Sequence, residues 1–262
     1  MERESWLELN LRGMQAAFSS FARSAGAQLL ELDGVIAAVN RAVGERSVFN
    51  SVVYLDPDAL AAVREELAVA YADAGCSWTV WVPEHDVGTA RMLEAAGHTL
   101  DAQPRAMGLE LDGITEPDLS GLDWTDRGDV EEMGSLNDAA YEYEPGSWIK
   151  GMGLEPERLH VYLARVDGKP AATVSSRDAD RDCTIWNVAT VEWARGKGLS
   201  TALMRKAIFD GAERGCPTST LQATKLGAPI YRRCGYEDFG ALGMWEFRPA
   251  ELAEQARPGP PA

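Results

Sequence analysis

At 262 residues the chain has room for one large domain or two small ones, and its 45% hydrophobic and 25% charged residues are ordinary for a globular protein that buries a core. A net charge of −16 argues against nucleic acid as a partner, because a phosphate backbone needs a basic face, and it suits an amine drawn in by long-range attraction. No apolar run approaches the roughly 20 residues that span a bilayer, and the opening MERESWLELNLRGM has no apolar signal core, so a cytoplasmic protein free of the membrane is expected. Cys76, Cys183, Cys216 and Cys234 lie far apart, as do His85, His98 and His160, which argues against a metal site or a disulfide framework.

In chain order, FNSVVYL (49–55) predicts a strand and DALAAVREELAVAYADAG (58–75) an amphipathic helix closed by Gly75. SWTVWV (77–82) predicts the next strand and HDVGTARMLEAAG (85–97) a helix ending at Gly97, after which His98-Thr99-Leu100 begins another strand. Residues 111–126 are polar, with Gly113, Pro117 and Gly121, and read as a linker. Helical spacing returns over 126–144 at Val130, Met133, Leu136, Asn137 and Ala140 and stops at Pro145-Gly146. Two strands, 159–166 and 170–177, are joined by Asp167-Gly168, a hairpin signal. A third, 183–191, alternates, with Ile185, Asn187, Ala189 and Val191 on one face. The glycine-rich ARGKGLS follows, then a helix over 199–214 ended by Gly215, a strand over 218–225, a short helix opened by Pro229, and a last pair of strands around Tyr236 and 244–247. The Pro-rich tail predicts disorder.

The two halves share an order of elements. About 44 residues run from Val53 to Gly97 and about 47 from Val188 to Gly235. A repeat of this length found once in each half predicts two copies of one fold, since a solenoid needs three or more units.

The sharpest local feature is strand, Arg195-Gly196-Lys197-Gly198-Leu199-Ser200, helix. Missing side chains let the backbone turn tightly and bring its N–H groups close to an anion. A helix that starts there adds unpaired donors and the positive end of its dipole, which together suit a pyrophosphate. The loop lacks the Gly-Lys-Ser/Thr of a Walker A motif, and Thr201 stands where the third glycine of G-x-G-x-x-G would fall. A plain strand-to-helix turn would use the same glycines.

NVATVEWARGKGLSTALM resembles motif A of the GNAT acyltransferases, Q/R-x-x-G-x-G/A at the start of a helix after a strand. Arg195, Gly198 and Ser200 fall on its three positions, Ser200 departing from the usual Gly or Ala. LQATKLGAPIYRRCGYEDFG (221–240) is similar to the later segment of that family, with Tyr231, Gly235 and Tyr236 in place. The resemblance covers residues 120–248. It implies an α/β fold of two tandem GNAT-like domains, each a mixed twisted sheet flanked by helices: 1–113 degenerate, 114–250 catalytic, and 251–262 a disordered tail. It also implies acetyl-CoA as co-substrate, with pantetheine on Val188, Ala189 and Thr190 and the pyrophosphate on a loop of Arg195, Gly196, Lys197, Gly198, Leu199, Ser200 and Thr201. Tyr231 would protonate the departing thiolate. Thr224 stands where many members carry a coenzyme-binding Asn.

Acyl transfer to an amine must hold two reactants together, remove an ammonium proton and stabilise the thioester oxygen. The strand 218–225 has no carboxylate, so Glu192, and Glu142 or Glu144, are the candidate bases, with a chain of waters as the alternative. Tyr143 and Trp148 lie on the segment that walls the acceptor site in relatives. The first copy has Leu55-Asp56-Pro57-Asp58-Ala59 in place of the glycine loop, and its carboxylates suit helix capping better than pyrophosphate. The expected activity is acetyl transfer to a primary amine of a small molecule or peptide, with a non-catalytic acyl-CoA sensor and a protein lysine acetyltransferase as alternatives. A homodimer is a permitted assembly.

Overall fold

Local chemistry draws most element ends. Asp56 caps the first turn of a helix by accepting from the Asp58 N–H at 2.9 Å, Pro57 occupies that turn, and Gly75 closes the helix in the left-handed region. Asp167 and Gly168 both have positive φ and make the two-residue hairpin turn that their identity predicts. The computed structural model describes residues 1–250 and Leu252, so the tail expected to be disordered lies outside the described residues except for Leu252.

The elements are α1 (Arg3–Ser24), β1 (Gln28–Leu32), β2 (Val35–Val39), β3 (Ser51–Tyr54), α2 (Pro57–Ala74), β4 (Trp78–Pro83), α3 (Val87–Ala95), β5 (Thr99–Ala102) and β6 (Arg105–Glu110). There follow β7 (Asp123–Thr125), α4 (Val130–Ala140), α5 (Ser147–Met152), β8 (Leu159–Val166), β9 (Lys169–Ala179), β10 (Asp182–Thr190), α6 (Leu199–Glu213), β11 (Thr218–Ala223), α7 (Ala228–Arg233) and β12 (Glu237–Phe247). The run β1-β2-β3-α2-β4-α3-β5 has the same order of strands and helices as β8-β9-β10-α6-β11-α7-β12. Among the described residues no helix is long and apolar enough to cross a membrane.

The expectation of one sheet per half is corrected. The strands form a single 12-stranded mixed sheet in the order β1-β2-β3-β4-β12-β6-β11-β10-β9-β8-β7, with β5 beside β12. Two strands cross over. β6, from the first half, lies between β11 and β12 of the second. The far part of β12 pairs with β4 and β5 of the first, through Leu242↔Pro83 and Phe247↔Trp78 on the β4 side. Ion pairs pin the crossing: Arg105 meets Asp238 at 2.8 Å and Arg3 meets Glu84 at 2.6 Å, while Glu84 also accepts from the Ala241 N–H at 2.8 Å. The polar segment expected to be only a linker ends in β7, which pairs with β8.

α1 lies across the join on one face of the sheet. Leu7, Leu11, Met14, Phe18 and Phe21 form its buried stripe, in one core with Val53, Trp81 and Met107 and with Ile185 and Leu221. Its buried Asn10 donates to the Leu221 carbonyl at 3.0 Å and accepts from the Gln222 amide at 2.9 Å, while Gln15 donates to the Val53 carbonyl at 3.0 Å. Desolvated amides rarely go unpaired, so these bonds fix the helix over both halves.

Candidate active site

β10 and β11 begin side by side and then part. They pair in parallel from Asp182↔Thr218 to Thr184↔Thr220, but β10 runs on to Thr190 and β11 to Ala223 without further pairing between them. The wedge exposes one edge of β10 just before the glycine loop. On its other side the ladder with β9 slips between Trp186 and Ala189, so two residues of β10 stand opposite one of β9. Asn187 takes the left-handed conformation there, which asparagine tolerates better than most residues. Its side chain locks the bulge, donating to Ser175 Oγ at 3.0 Å and accepting from the Trp148 indole N–H at 3.0 Å.

The loop that follows needs glycine. Gly196 and Gly198 have φ of +79° and +77°, and a Cβ at either would meet nothing within 4 Å, so backbone conformation and not space selects them. Gly198 begins α6 without a side-chain cap, which leaves the N–H groups of the first turn at Leu199, Ser200 and Thr201 without helical partners. Arg195 ties the loop to the end of β10 and to α4, donating to the carbonyls of Thr190 and Ala140 at 3.4 Å each. The hydroxyls of Thr190 and Ser200 share a short hydrogen bond that joins strand end to helix start.

A cleft of about 1160 Å³ opens at this point. Val188, Ala189, Thr190, Arg195, Gly196, Gly198, Leu199, Ser200, Thr201 and Tyr231 all line it, so ten of the predicted residues are brought together. Leu199 is buried, so only its backbone has a part in any ligand contact. Arg205 and Arg233 join Arg195 on the wall, a basic cleft in an acidic chain. Lys197 is exposed on the loop and lines neither this cleft nor its neighbour. Thr224 lines the cleft, but its hydroxyl accepts from the Gly227 N–H at 3.1 Å at the entry to α7.

A second cavity of about 1300 Å³ lies between the two halves. Phe18, Phe49 and Trp81 enter it from the first half, and Tyr143, Trp148 and Trp186 from the second. α5 approaches the first half so closely that a Cβ on Gly151 would fall 2.3 Å from the Phe49 ring. Tyr141, Val188, Thr224 and Tyr231 line both spaces. Tyr231 is 8% exposed, and burial, followed by the neighbouring Tyr141 and Cys234, pushes its phenol well above the usual tyrosine range.

Glu192 and Glu142 are exposed and line neither space. Glu192 sits on a single 3-10 turn beyond β10, and Glu142 follows α4 in a left-handed conformation. Sequence position put them near the loop; the directions in which the chain leaves β10 and α4 keep them outside. Sequence reasoning missed Tyr141 and Asn187; it expected the first half to buttress the second or to cover its acceptor site, without naming the residues that line the second cavity. The only signal for Asn187 was an amide placed in an otherwise apolar alternation.

Residues 122–236 match the model of the acetyltransferase (GNAT) family. No curated protein matches the chain. Among solved structures, a GCN5-related N-acetyltransferase from Kribbella flavida is 22% identical with a TM-score of 0.68, over 94% of this chain and 98% of that one. One from Sphaerobacter thermophilus is 14% identical with a TM-score of 0.61, over 92% and 94%. A tandem GNAT protein from the clavulanic acid biosynthesis pathway is 15% identical with a TM-score of 0.54, over 75% and 74%. The chain is thus similar to the GNAT acetyltransferases in sequence over residues 122–236 and has the fold of solved GCN5-related N-acetyltransferase structures over nearly its whole length.

Proposed function

We propose that the chain is an acetyl-CoA-dependent N-acetyltransferase that moves the acetyl group directly to the primary amine of a small molecule or peptide. The supporting observation is the meeting of two spaces at Tyr141, Val188 and Tyr231: a basic, glycine-edged cleft on one side and an aromatic cavity on the other. Two separate reactants need such an arrangement, and holding them together accounts for much of a bimolecular barrier.

In this reading the amides of the first turn of α6 and the arginines of the cleft hold the diphosphate, and the free edge of β10 holds the pantetheine arm. Acetyl-CoA supplies the activated thioester. The amine lone pair attacks the thioester carbon while a backbone N–H of the Val188–Ala189 stretch stabilises the oxygen. The carbon–sulfur bond breaks, and sulfur leaves with the electron pair and takes the Tyr231 proton. Burial keeps the phenol protonated at neutral pH, so the proton is in place when sulfur departs. The surplus amine proton passes to solvent, since neither Glu192 nor Glu142 lines the junction, and solvent returns a proton to the Tyr231 phenolate so that the cycle closes.

The first half is, in the same reading, a degenerate copy of the second. The matching order of elements supports this, as does Asp56, which spends its carboxylate on capping α2 at the point where the second half has its glycine loop. It has become a wall of the acceptor cavity. A non-catalytic acyl-CoA sensor is the second reading, favoured by the position of Glu192 and Glu142 outside both spaces that meet at Tyr231. Release of free thiol from acetyl-CoA with a panel of amines separates the two: amine-dependent release supports the transferase, and tight binding without release across the panel supports the sensor.

A further inference from the structure

The second cavity contains polar atoms that ask for a ligand. Among the described residues, Arg46 Nη2, Asn137 Oδ1 and Trp186 Nε1 are buried without a hydrogen-bond partner, and all three residues line this one space. A buried donor or acceptor left unpaired costs on the order of 1–3 kcal/mol, and more for a charged group. Three such atoms on residues that line one cavity are unlike a core.

Their chemistry is specific. Two are donors, one of them cationic, and the third is an acceptor. Arg46 comes from the first half and reaches across to the second, where its guanidinium lies 3.4 Å above the Tyr143 ring and its Nη1 donates to Ser147 Oγ at 3.2 Å. It has no carboxylate partner among the described residues. The other arginines of the cavity do: Arg105 and Arg232 share Asp238, and Arg248 holds Glu246 at 2.5 Å. The acids without an ion pair are Glu45, which is exposed, and Asp101, whose nearest charges are Glu246 and Arg248 at the far arginine-neutralised end.

We propose that the acceptor is an amino acid-like molecule: its carboxylate pairs with Arg46 and takes the Trp186 N–H, its amine is received by Asn137 Oδ1, and its apolar body lies among Phe18, Phe49 and Trp81. This rests on the acyltransferase reading and specifies its substrate. Arg46 is the specificity-determining residue, because a planar guanidinium matches a carboxylate fork and a site built for a group rejects molecules that lack it. The net negative charge of the chain, which by itself favours a simple cation, is overridden locally by Arg46, the half-buried arginine of this cavity that has no carboxylate partner among the described residues.

The test uses matched probes: phenylalanine, phenylalaninamide and phenethylamine as acceptors, and N-acetylphenylalanine and its amide as product-like ligands in calorimetry. The wild-type chain should acetylate phenylalanine with a kcat/KM at least tenfold above either neutral amine. Arg46→Gln should raise KM for phenylalanine at least tenfold and abolish the preference for phenylalanine over phenethylamine, while KM for acetyl-CoA stays within about twofold. Arg46→Lys should recover part of the loss, which a folding defect would not allow. Preference of the wild-type chain for the neutral amines, or an Arg46→Gln ratio equal to wild type, overturns the proposal. The calorimetry stands apart from turnover. Loss of N-acetylphenylalanine binding in Arg46→Gln supports the carboxylate site even if no amine is acetylated, an outcome that would sink only the transferase reading. Equal binding of the acid and its amide sinks the site itself.

Discussion

The phenol of Tyr141 donates to the carbonyl of Val188 at 3.3 Å, at the line where the glycine-edged cleft and the aromatic cavity meet. The bond crosses from the end of α4 to the bulged part of β10 and occupies the Val188 carbonyl oxygen. Replacing Tyr141 by Phe removes one hydrogen bond, a change of about 1 kcal/mol in holding that stretch. We expect KM for acetyl-CoA to rise by about two- to tenfold with the melting temperature nearly unchanged. An unaltered KM would show that the Tyr141 bond has no part in shaping the coenzyme edge.

Gly198 separates conformation from charge. Alanine there must adopt a φ of +77° but meets no neighbour, so the cost is the left-handed penalty of about 1 kcal/mol. Aspartate adds a carboxylate at the start of α6, against the diphosphate. Calorimetric titration with acetyl-CoA should give binding weakened several-fold in Gly198→Ala and lost in Gly198→Asp. If both variants bind like wild type, the loop holds no diphosphate.

Tyr231→Phe keeps the ring that fills the space beneath α7 and removes the proton. If Tyr231 is the proton donor, its loss lowers the chemical step by roughly 100- to 10,000-fold while coenzyme affinity stays near normal. Steady-state kcat, measured beside a calorimetric Kd for acetyl-CoA, makes the comparison. A full kcat would reduce Tyr231 to a packing residue.

The site was legible in sequence where function rests on local backbone geometry. Glycines at 196 and 198, with the strand before them and the helix start after them, are a contiguous pattern, and the structure gathers nine of the predicted residues of that stretch into one cleft. The hairpin at Asp167-Gly168 was legible for the same reason. An equivalent signal at Asp33-Gly34, joining β1 to β2, was passed over because QLLEL alternates weakly and its strand is only half buried. α1 escaped notice because its charged opening hides a stripe that becomes regular only from Leu7 onward. The strand exchange has no local signature: β6 pairs with β11 across more than a hundred residues of chain. Glu192 and Glu142 fall outside both spaces because nearness in sequence to the loop says nothing about the side from which a carboxylate approaches.

Two buried groups set opposing pH dependences. Asp182 is fully buried, and desolvation raises its carboxyl to about 6 despite the hydrogen bond from Thr220 at 2.6 Å. The native state therefore holds more protons than the unfolded chain between about pH 4 and 6, and stability falls as pH rises through that window. His98 is also buried, between Trp78 and Phe247, and desolvation lowers it to about 4. There the unfolded chain holds the extra proton, and stability falls as pH drops from about 6.5 to 4. Each effect is about 3 kcal/mol in size, so they largely cancel in the wild-type chain. Asp182→Asn should expose the histidine slope, with stability in urea lower at pH 4.5 than at 7 by more than in wild type. His98→Phe should tilt the other way. Parallel pH profiles for all three proteins would remove both assignments.

The exchange of β6 and β12 makes each half incomplete without the other. A fragment of residues 114–250 lacks β6, which pairs with β11 along six residues from Glu110↔Thr218 to Arg105↔Ala223 and with β12 at Glu237↔Gly108. Both strands would then present open edges, which invite association with other chains. The fragment would also lose α1, whose Asn10 holds Leu221 and Gln222 beside the wedge. We expect it to aggregate, and to gain soluble yield and acetyl-CoA binding when residues 1–113 are supplied on a separate chain. Should 114–250 alone unfold cooperatively and bind acetyl-CoA with wild-type affinity, the glycine-loop half would be self-sufficient and the crossed strands would serve only to carry the first half as a wall of the acceptor cavity.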